Sequence, residues 1–545
     1  MKIIIIGGVA GGATAATRLR RLNEKAEIII LERGGFVSFA NCGLPYYIGG
    51  TITEKEKLTV ETPKGFRDKF NIDVRVENEV ISIDPERKIL KVNELATGRE
   101  YEESYDELLL SPGAEPVRPP LEGIDRENVF TLRNIPDTMR MDTFIKMNNP
   151  ATAVVVGGGN IGVEMAENLT EKGIKVTIVE MADHLIAPLD PDMASDVHNY
   201  IRAKGIRLYL GSGVTAIGEG KVLTDKEEVP ADMVLMSVGT KPETALAQSC
   251  GVEVNAKGSI IVDERMHTSV PHIYAVGDAV EVEHFVTKEP TSIQLAGPAN
   301  KQGRIAADNI AGYDSIYTGS QGSAILKVFD MTVASTGLSE KQAKSAGIDY
   351  DKVYTFLAPH ASYYPGGTNM SMKVIWDKKT EKIIGAQIVG YEGVDKRMDV
   401  LATAMRFGGK VTDLTKLELC YAPPFGSAKD PVNIAGYAAE NIISGKVKQY
   451  FWDDVADLPR DGSVSLIDIR TPEETAGGMI DGYVNIPWVE IRKRLDEIPK
   501  DKPVYLSCTS GLKSYNVSRI LTGLGYDCYN LAGGYRLYSS IMKDK

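Results

Sequence analysis

The sequence contains little cysteine: five residues among 545, widely separated and without a Cys-x-x-Cys pair. This scatter excludes a disulfide-stabilised scaffold and the usual zinc sites, and we expect no metal. It indicates a reducing compartment, the cytoplasm, where a thiol in a special setting is more often chemical than structural. The five cysteines are Cys42, Cys250, Cys420, Cys508 and Cys528.

Long hydrophobic runs and an excess of positive charge are missing as well. The longest apolar runs, such as Ile3–Ile6 and Val154–Val156 with their neighbours, are far shorter than the ~20 residues of a membrane helix. The N-terminus passes directly into strand-like sequence without a signal-peptide pattern. The net charge of −12 argues against a nucleic-acid binder, which would present a basic face. We therefore expect neither a membrane nor a nucleic-acid partner.

Glycine is abundant, with 53 residues, and it is clustered. The first cluster follows the Ile run and precedes an Ala-rich segment, which predicts a buried strand, a glycine turn and a helix. A second strand over 27–31 ends in Glu32, where a carboxylate can accept hydrogen bonds from a ribose. Val9 occupies the middle glycine position of the dinucleotide fingerprint. Taken alone, the loop is also compatible with a glycine turn in any α/β fold.

A second cluster has the full fingerprint spacing, with Gly157, Gly159 and Gly162. The strand that follows ends in Glu180, and no arginine comes closely after it. A carboxylate at that position favours a free 2′-OH and repels a 2′-phosphate, so we expect NADH, with NADPH possible. Two such units in one chain, about 150 residues apart, suggest one flavin and one nicotinamide nucleotide.

Further strand–glycine units at 108–114, 233–239 and 273–279 complete a pattern that resembles the pyridine nucleotide-disulfide oxidoreductase family over about residues 1–445. The resemblance implies FAD at the first loop, NADH at the second, and Asp278 at the ribityl chain of FAD. The cofactor-binding residues it implies are Gly7, Val9, Ala10, Gly11, Gly12, Glu32, Arg33, Ala114, Asp278, Gly157, Gly159, Asn160, Ile161, Gly162, Glu180 and Gly239.

Cys42 lies just after the predicted flavin strand. Dithiol members of the family have a second cysteine five positions later, where this chain has Tyr47. Cys42 would therefore act alone, through a mixed disulfide, a persulfide or a sulfenic acid. The alternative is a buried apolar thiol, the commoner fate of a lone cysteine; the glycine-rich, nucleotide-adjacent context favours chemistry.

The residues around Cys42, Ser-Phe-x-x-Cys followed by Gly-Leu-Pro-Tyr, look like the coenzyme A-disulfide reductase branch. That branch implies a homodimer in which tyrosines serve the opposite subunit's site: here Tyr363 (or Tyr364) and Tyr421, which could equally be core tyrosines. Arg20 is expected on a solvated helix face. By resemblance, the coenzyme A contacts are Arg18, Arg21, Ser38, Asn41 and Lys429.

The last ~90 residues, a short but viable domain length, begin a new α/β unit that looks like a rhodanese domain. Cys508 ends a buried strand and opens a loop whose N–H groups can hold an anionic persulfide, although a packed thiol is the alternative. Lys513 replaces a frequent arginine and Met479 a common histidine, which leaves the sulfur donor open. Cys250, Cys420 and Cys528 are expected to be packed. The rhodanese loop comprises Thr509, Ser510, Gly511, Leu512 and Lys513.

The predicted fold class is α/β, with two Rossmann-like FAD and NAD domains, an α+β dimerisation domain and an α/β rhodanese domain. The predicted boundaries are 1–111 and 245–322 for the FAD domain, 112–244 for the NAD domain, 323–445 for dimerisation, 446–455 for a linker and 456–545 for the rhodanese.

We predict a flavin- and NADH-dependent reductase of coenzyme A persulfide, coenzyme A disulfide or polysulfide. One alternative is an NADH oxidase or peroxidase, although the peroxidase branch has a histidine where this chain has Ala10. Another is a non-catalytic sulfur carrier or redox sensor. Whether Cys508 acts before or after Cys42 is left open.

Overall fold

The computed structural model describes residues 1–545, and none of its helices combines the length and apolarity needed to cross a bilayer. The chain forms two compact units. The first contains Met1–Asp183 and Gly205–Gly322, and the second contains His184–Lys204 and Ser323–Lys545.

Fourteen α-helices are present. They are α1 (Ala10–Leu22), α2 (Leu44–Gly49), α3 (Pro63–Phe70), α4 (Ile135–Asn148), α5 (Asn160–Glu171), α6 (Pro191–Ala203), α7 (Ala245–Ser249), α8 (Ala296–Ile310), α9 (Glu340–Ser345), α10 (Val394–Arg406), α11 (Pro431–Ile443), α12 (Pro472–Thr475), α13 (Leu512–Gly523) and α14 (Gly534–Asp544).

The first unit contains 21 of the 31 strands. They are β1 (Lys2–Ile6), β2 (Glu27–Glu32), β3 (Asp73–Val76), β4 (Asn78–Asp84), β5 (Ile89–Glu94), β6 (Arg99–Ser104), β7 (Glu107–Leu110), β8 (Ala114–Pro116), β9 (Val129–Phe130), β10 (Thr152–Val156), β11 (Lys175–Val179), β12 (Arg207–Tyr209), β13 (Val214–Gly218), β14 (Lys221–Thr224), β15 (Glu228–Pro230), β16 (Met233–Met236), β17 (Thr240–Pro242), β18 (Ile260–Ile261), β19 (Ile273–Ala275), β20 (Val280–Glu283) and β21 (Pro290–Thr291).

The second unit contains the other ten strands. They are β22 (Ala324–Val328), β23 (Met331–Gly337), β24 (Tyr350–Leu357), β25 (Met370–Asp377), β26 (Ile383–Gly390), β27 (Lys448–Tyr450), β28 (Ser465–Asp468), β29 (Val484–Asn485), β30 (Val504–Ser507) and β31 (Cys528–Leu531).

Two parallel sheets organise the first unit, in the orders β19-β7-β1-β2-β3 and β12-β11-β10-β16-β9. In each, a glycine loop follows a central strand, β1 or β10, and opens a helix, α1 or α5. The register pairs Ile4 with Ile29 and Val154 with Thr177. Because helices cover both faces of such sheets, the central strands are apolar throughout, as the Ile3–Ile5 core residues show. Both predicted nucleotide-type sheets are thus confirmed.

In the second unit, β22-β23-β26-β25-β24 form an antiparallel sheet and β27-β31-β30-β28-β29 a parallel one. The predicted α+β and C-terminal α/β parts are therefore both present. The predicted linker at 446–455 contains β27, which pairs with β31. This stretch is consequently part of the C-terminal sheet, because an edge position gives its backbone groups hydrogen-bond partners.

Candidate active site

The first glycine loop is shaped by close backbone contacts. Gly7 has φ +92°, which glycine adopts without steric cost, and its N–H donates to the Leu31 carbonyl at 2.9 Å. A Cβ at Gly12 would overlap the Gly7 carbonyl oxygen. Gly12 therefore allows α1 to begin directly over the turn, with Val9 as its N-cap and Gly11 in its first turn. The turn thus tolerates Val9 at the middle position of the fingerprint.

Glu32 closes this loop at the end of β2. Its carboxylate accepts hydrogen bonds from the N–H of Gly8 at 3.0 Å and of Gly34 at 2.8 Å. The next residue, Arg33, is exposed and pairs with Glu243 at 2.8 Å. A helix N-terminus, a close-approach glycine turn and a carboxylate at the strand end are the features that suit the pyrophosphate and ribose of FAD.

Asp278 lies in a 3-10 turn, Gly277–Ala279, beside the same sheet. Burial raises the pKa of its carboxyl group, and Gln302 holds the turn by accepting the Gly277 N–H at 2.7 Å. Two other predicted cofactor residues begin elements: Ala114 is the first residue of β8, and Ala10 is the first residue of α1. A half-buried carboxylate here fits a hydroxyl-bearing ligand, because such a ligand would supply the hydrogen bond that a partly buried oxygen needs.

The second glycine loop repeats the geometry of the first. Gly157 has φ +103°, and a Cβ at Gly162 would overlap the Gly157 carbonyl oxygen. Glu180 accepts the Gly158 N–H at 2.6 Å and the Ala182 N–H at 2.7 Å. Gly159 is the N-cap of α5 and has open space around it. The loop therefore fits a second dinucleotide.

Three other predicted residues border this second loop. Asn160 and Ile161 open α5, and Ile161 is exposed. Gly239, with φ +102°, precedes β17, and its carbonyl accepts the Val117 N–H at 3.0 Å.

Cys42 is exposed in a 3-10 turn, Asn41–Gly43, just before α2. Partial burial of its sulfur, together with the carboxylates of Glu164 and Asp278, raises the pKa of the thiol. Tyr47 occupies α2 at the predicted second-cysteine position, and all five cysteines are free.

Two residues beside Cys42 were missed by sequence reasoning. Tyr46 on α2 donates its O–H to Glu164 at 3.3 Å, which joins the thiol segment to α5, the helix that follows the second nucleotide loop. Burial, assisted by the nearby Glu167 carboxylate, raises the pKa of Glu164 to about 7 although the Tyr46 bond opposes the shift. The sequence could have indicated Tyr46 only by its place near Cys42, and Glu164 only by its place two residues after Gly162.

The predicted substrate residues have different settings. Asn41 donates to the Arg133 carbonyl at 3.1 Å, and Ser38 has φ +47°. Arg18 pairs with Asp308 on α8 at 2.7 Å. Arg21 and Lys429 are exposed.

Arg20 corrects an expectation, because it is 5% exposed rather than solvated. Its guanidinium donates to four backbone carbonyls, those of Phe70, Asn23, Glu24 and Asn71. The end of α3 lies against α1 and supplies two of these carbonyls. Because the guanidinium is hydrogen-bonded, it tolerates burial there.

Tyr363 and Tyr421 are brought together by the fold. Their hydroxyl oxygens are 2.8 Å apart, and the two side chains are 74% and 47% exposed, so they are not core residues. The shared hydrogen bond raises the pKa of Tyr363. Tyr364 instead packs edge-on against His360. Cys420 is exposed, so its predicted packing role is wrong: its loop turns the side chain outward beside Tyr421.

Cys508 lies fully buried at the end of β30. Its sulfur accepts the Gly511 N–H at 3.1 Å and faces the Ser514 hydroxyl at 3.1 Å. Backbone and hydroxyl donors of this kind stabilise an anionic sulfur. Ser514 was not among the predicted loop residues, although its place in the first turn of α13 could have indicated it. Of the others, Thr509 and Leu512 are exposed and Ser510 is half-buried.

Cys528 and Cys250 pack as expected. Cys528 belongs to the core around β30 and β31, and burial raises its pKa to about 12. Cys250 packs against the core of the first unit. At both thiols burial outweighs the hydrogen bonds that lower the pKa, which come from the Thr522 side chain at Cys528 and from the Val252 backbone at Cys250.

Two dinucleotide loops, an exposed thiol beside them and a second thiol in an anion-holding loop define a flavin- and nicotinamide-dependent sulfur oxidoreductase. Residues 1–303 match the family model of pyridine nucleotide-disulphide oxidoreductases, and residues 323–431 match the dimerisation domain of that family. Residues 451–540 match the rhodanese-like domain. The chain therefore belongs to the pyridine nucleotide-disulphide oxidoreductase family, with a rhodanese-like domain at its C-terminal end. As a member, it is an enzyme that uses FAD and NAD.

Three relatives show how far the likeness extends. The coenzyme A disulfide reductase of Staphylococcus aureus (strain JH9) is 38% identical over 441 residues, which are 81% of this chain and 100% of that protein. The crystal structure of reduced Bacillus anthracis CoADR-RHD is 48% identical with a TM-score of 0.98, covering 100% of this chain and 98% of that one. The NAD-dependent persulfide reductase from A. fulgidus is 37% identical with a TM-score of 0.93, covering 99% and 100%.

Proposed function

We propose that this enzyme uses NADH to reduce coenzyme A persulfide, coenzyme A disulfide or polysulfide at Cys42, while Cys508 handles sulfane sulfur. The observation that carries the proposal is the lone thiol. Cys42 is exposed, lies before α2 next to the nucleotide loops, and has Tyr47 where a partner cysteine would close a disulfide. The rhodanese-like domain supports persulfide over plain disulfide as the main substrate.

In the first step, the Cys42 thiolate attacks the sulfane sulfur of coenzyme A persulfide. An S–S bond forms to Cys42, the S–S bond of the substrate breaks, and coenzyme A leaves as its thiolate. With coenzyme A disulfide, the same attack leaves a mixed disulfide on Cys42 and releases one coenzyme A thiolate.

In the second step, the Cys42 persulfide gains two electrons and is cleaved to the Cys42 thiol and hydrogen sulfide. NADH supplies a hydride equivalent, one proton comes from solvent, and NAD⁺ is released, so atoms and charge balance. Bound FAD supplies the electron path from NADH to sulfur. The first glycine loop with Glu32 and Asp278 would hold FAD, and the second with Glu180 would hold NADH.

Cys508 would carry sulfane sulfur as a persulfide in its loop. The Gly511 N–H and the Ser514 hydroxyl, each 3.1 Å from its sulfur, support this role because they stabilise negative charge there. In one order, the outer sulfur of the Cys508 persulfide passes to coenzyme A thiolate before Cys42 acts, which forms coenzyme A persulfide and frees the Cys508 thiolate. In the other order, the Cys508 thiolate accepts the outer sulfur of a persulfide and the donor leaves as its thiolate.

The test is anaerobic NADH oxidation with coenzyme A persulfide, coenzyme A disulfide and polysulfide in parallel. We expect Cys42→Ser to lose at least about 100-fold in kcat/KM with all three acceptors, since the attacking thiolate is removed. Cys250→Ser, at a packed thiol, is the matched control. Full sulfide release by Cys42→Ser would contradict the proposal, and rapid NADH consumption in air without a sulfur acceptor would favour an NADH oxidase instead.

We further propose a homodimer in which Tyr363 and Tyr421 complete the partner subunit's site and a phenol protonates or holds the leaving coenzyme A sulfur. The match to a dimerisation domain and the exposed, mutually hydrogen-bonded phenols support this. The five free thiols support a reducing compartment, the cytoplasm. We retain the predicted domain boundaries, except that the rhodanese part begins at β27.

Complementation tests the shared site. Cys42→Ser and Tyr421→Phe chains are each expected to be impaired, and mixed dimers should regain activity, because one of the two sites then has both an intact thiol and an intact phenol. Activity and sedimentation mass of the mixtures are measured together. A wild-type mass equal to one 59.3 kDa chain, or mixed dimers without recovered activity, would count against the arrangement.

A further inference from the structure

The loop around Cys508 contains one lysine, and a carboxylate neutralises it. Lys513 lies 3.2 Å from Glu474 on α12. The same Glu474 oxygen accepts the hydroxyl of Thr509 at 3.0 Å, the residue directly after Cys508. Hydrogen bonds from the Thr471 N–H, Lys513 and Thr509 lower the pKa of Glu474 although partial burial opposes them, so this carboxylate is charged at neutral pH.

Two arginines near the loop also have a carboxylate partner, close for Arg470 and more distant for Arg536. Arg470 is buried and pairs with Asp468 at 2.7 Å, while its guanidinium lies 3.8 Å over the ring of Tyr535. The N–H of Tyr535 donates to the Cys508 carbonyl at 2.7 Å. The backbone of the next residue, Arg536, also contacts the loop, and its guanidinium lies 3.8 Å from Asp196 on α6.

The positive side chains beside the Cys508 loop are therefore matched by negative ones. Inorganic thiosulfate carries two negative charges at neutral pH, so it needs unpaired cations at the mouth of a site. An organic persulfide can react in its neutral form and needs none. The two donors thus differ in the charge carried next to the transferred sulfur, which is the part that enters the loop.

We propose that Glu474 is a specificity-determining residue: by occupying Lys513 and Thr509, it makes the Cys508 loop accept sulfur from organic persulfides and reject thiosulfate. This inference rests on the proposed function, since it takes Cys508 to be a sulfur carrier. The Cys508 thiolate attacks the outer sulfur of the protonated persulfide, an S–S bond forms and another breaks, and the organic thiolate leaves. With thiosulfate, the same attack would release sulfite and leave the persulfide anion on Cys508.

The test uses the full chain with Cys42→Ser as background, so that only the C-terminal thiol is followed. Sulfur loading of the Cys508 peptide is timed by mass spectrometry with sodium thiosulfate or glutathione persulfide. We expect glutathione persulfide to load Cys508 at least about tenfold faster than thiosulfate, because no unpaired cation attracts the dianion.

Glu474→Gln removes the charge and keeps a side chain that can still complete the helix cap with Thr471. We expect its thiosulfate loading to rise about fivefold while persulfide loading changes less than about twofold. Glu473→Gln is the control, because it removes an equal charge from the exposed preceding position of α12. It should change neither rate.

Equal loading by the two donors, an unchanged thiosulfate rate in Glu474→Gln, or the same rise in Glu473→Gln would overturn the inference. Each of these leaves NADH-dependent sulfide release by the unsubstituted chain intact. If Cys508 loads with neither donor, both the inference and the proposed role of Cys508 fail.

Discussion

At the residue scale, Lys373 is a charged side chain that is 0% exposed, so it needs charged partners inside the protein. Its ammonium group lies 2.8 Å from Asp190, 2.9 Å from Asp192 and 2.5 Å from Glu340. These carboxylates could together hold a metal ion, but the lysine already supplies the positive charge. Against the opposing effect of burial, Lys373 and Lys352 lower the pKa of Glu340 to about 2.

Lys373→Met should destabilise the protein strongly, because it leaves buried carboxylates without their cation. We expect a loss of about 3–5 kcal/mol, seen as a lower thermal midpoint or denaturant midpoint. Lys378→Met, which removes an exposed pair with Asp349 at 2.8 Å, is the control and should cost less than about 1 kcal/mol. Similar losses in both variants would show that burial of the network contributes little.

At the element scale, each nucleotide loop is a strand, a turn and a helix whose glycines have different tasks. Gly162 faces the Gly157 carbonyl, so it is needed for α5 to pack on its own strand. At Gly159, a Cβ would meet no atom within 4 Å, because this residue lies on the open side of the turn. Gly162 therefore serves folding, and we infer that the open space at Gly159 serves the approach of the pyrophosphate.

Gly159→Ala should weaken NADH binding without loss of stability. We expect KM for NADH to rise about tenfold, because a methyl group displaces the pyrophosphate from the backbone, with the thermal midpoint unchanged. Gly162→Ala should lower both NADH affinity and the thermal midpoint, since its Cβ meets the Gly157 carbonyl. Steady-state kinetics and thermal melts separate the two cases; a destabilised Gly159→Ala would contradict this division.

At the scale of the whole molecule, hydrogen bonds and an ion pair between α14 and α6 attach the C-terminal domain to the rest of the second unit. Ser540 on α14 donates to Asp196 at 2.6 Å and accepts from Asn199 at 2.9 Å through its carbonyl. Asp544 accepts from the buried His198 at 2.7 Å and pairs with Arg202. Because the Leu185 N–H donates to Nε2 of His198 at 3.0 Å, that nitrogen is an acceptor, and Nδ1 is the nitrogen that donates to Asp544.

Asp544→Asn should loosen this attachment, because Arg202 loses its counter-charge and His198 its charged acceptor. We expect a loss of about 1–3 kcal/mol and faster proteolysis between α11 and β27. Lys543→Ala, at the exposed neighbouring position, should change neither. Proteolysis followed by mass spectrometry checks the cleavage site, and equal cleavage of the two variants would contradict the role of α14.

Sequence by itself determined the two nucleotide loops, the isolation of Cys42 and the position of Cys508, because strand, turn and helix patterns are local. It also predicted the class of fold. It could not predict that Arg20 is buried, since the four carbonyls that satisfy it come from two separate stretches of chain. The exposure of Cys420 could not be predicted either, nor could the hydrogen bond between Tyr363 and Tyr421. Both depend on the packing of loops that are 58 residues apart in the sequence.

The same limit applies to charge. The sequence places Lys513 in the loop after Cys508 in the position of a frequent arginine, and the fold pairs it with Glu474, 39 residues earlier. Whether a polar group is free, paired or buried depends on what the tertiary structure brings against it, because electrostatic and hydrogen-bond energies act over a few ångströms and not along the sequence. The sequence therefore determined which residues carry reactive groups, and the tertiary structure decided the surroundings of those groups.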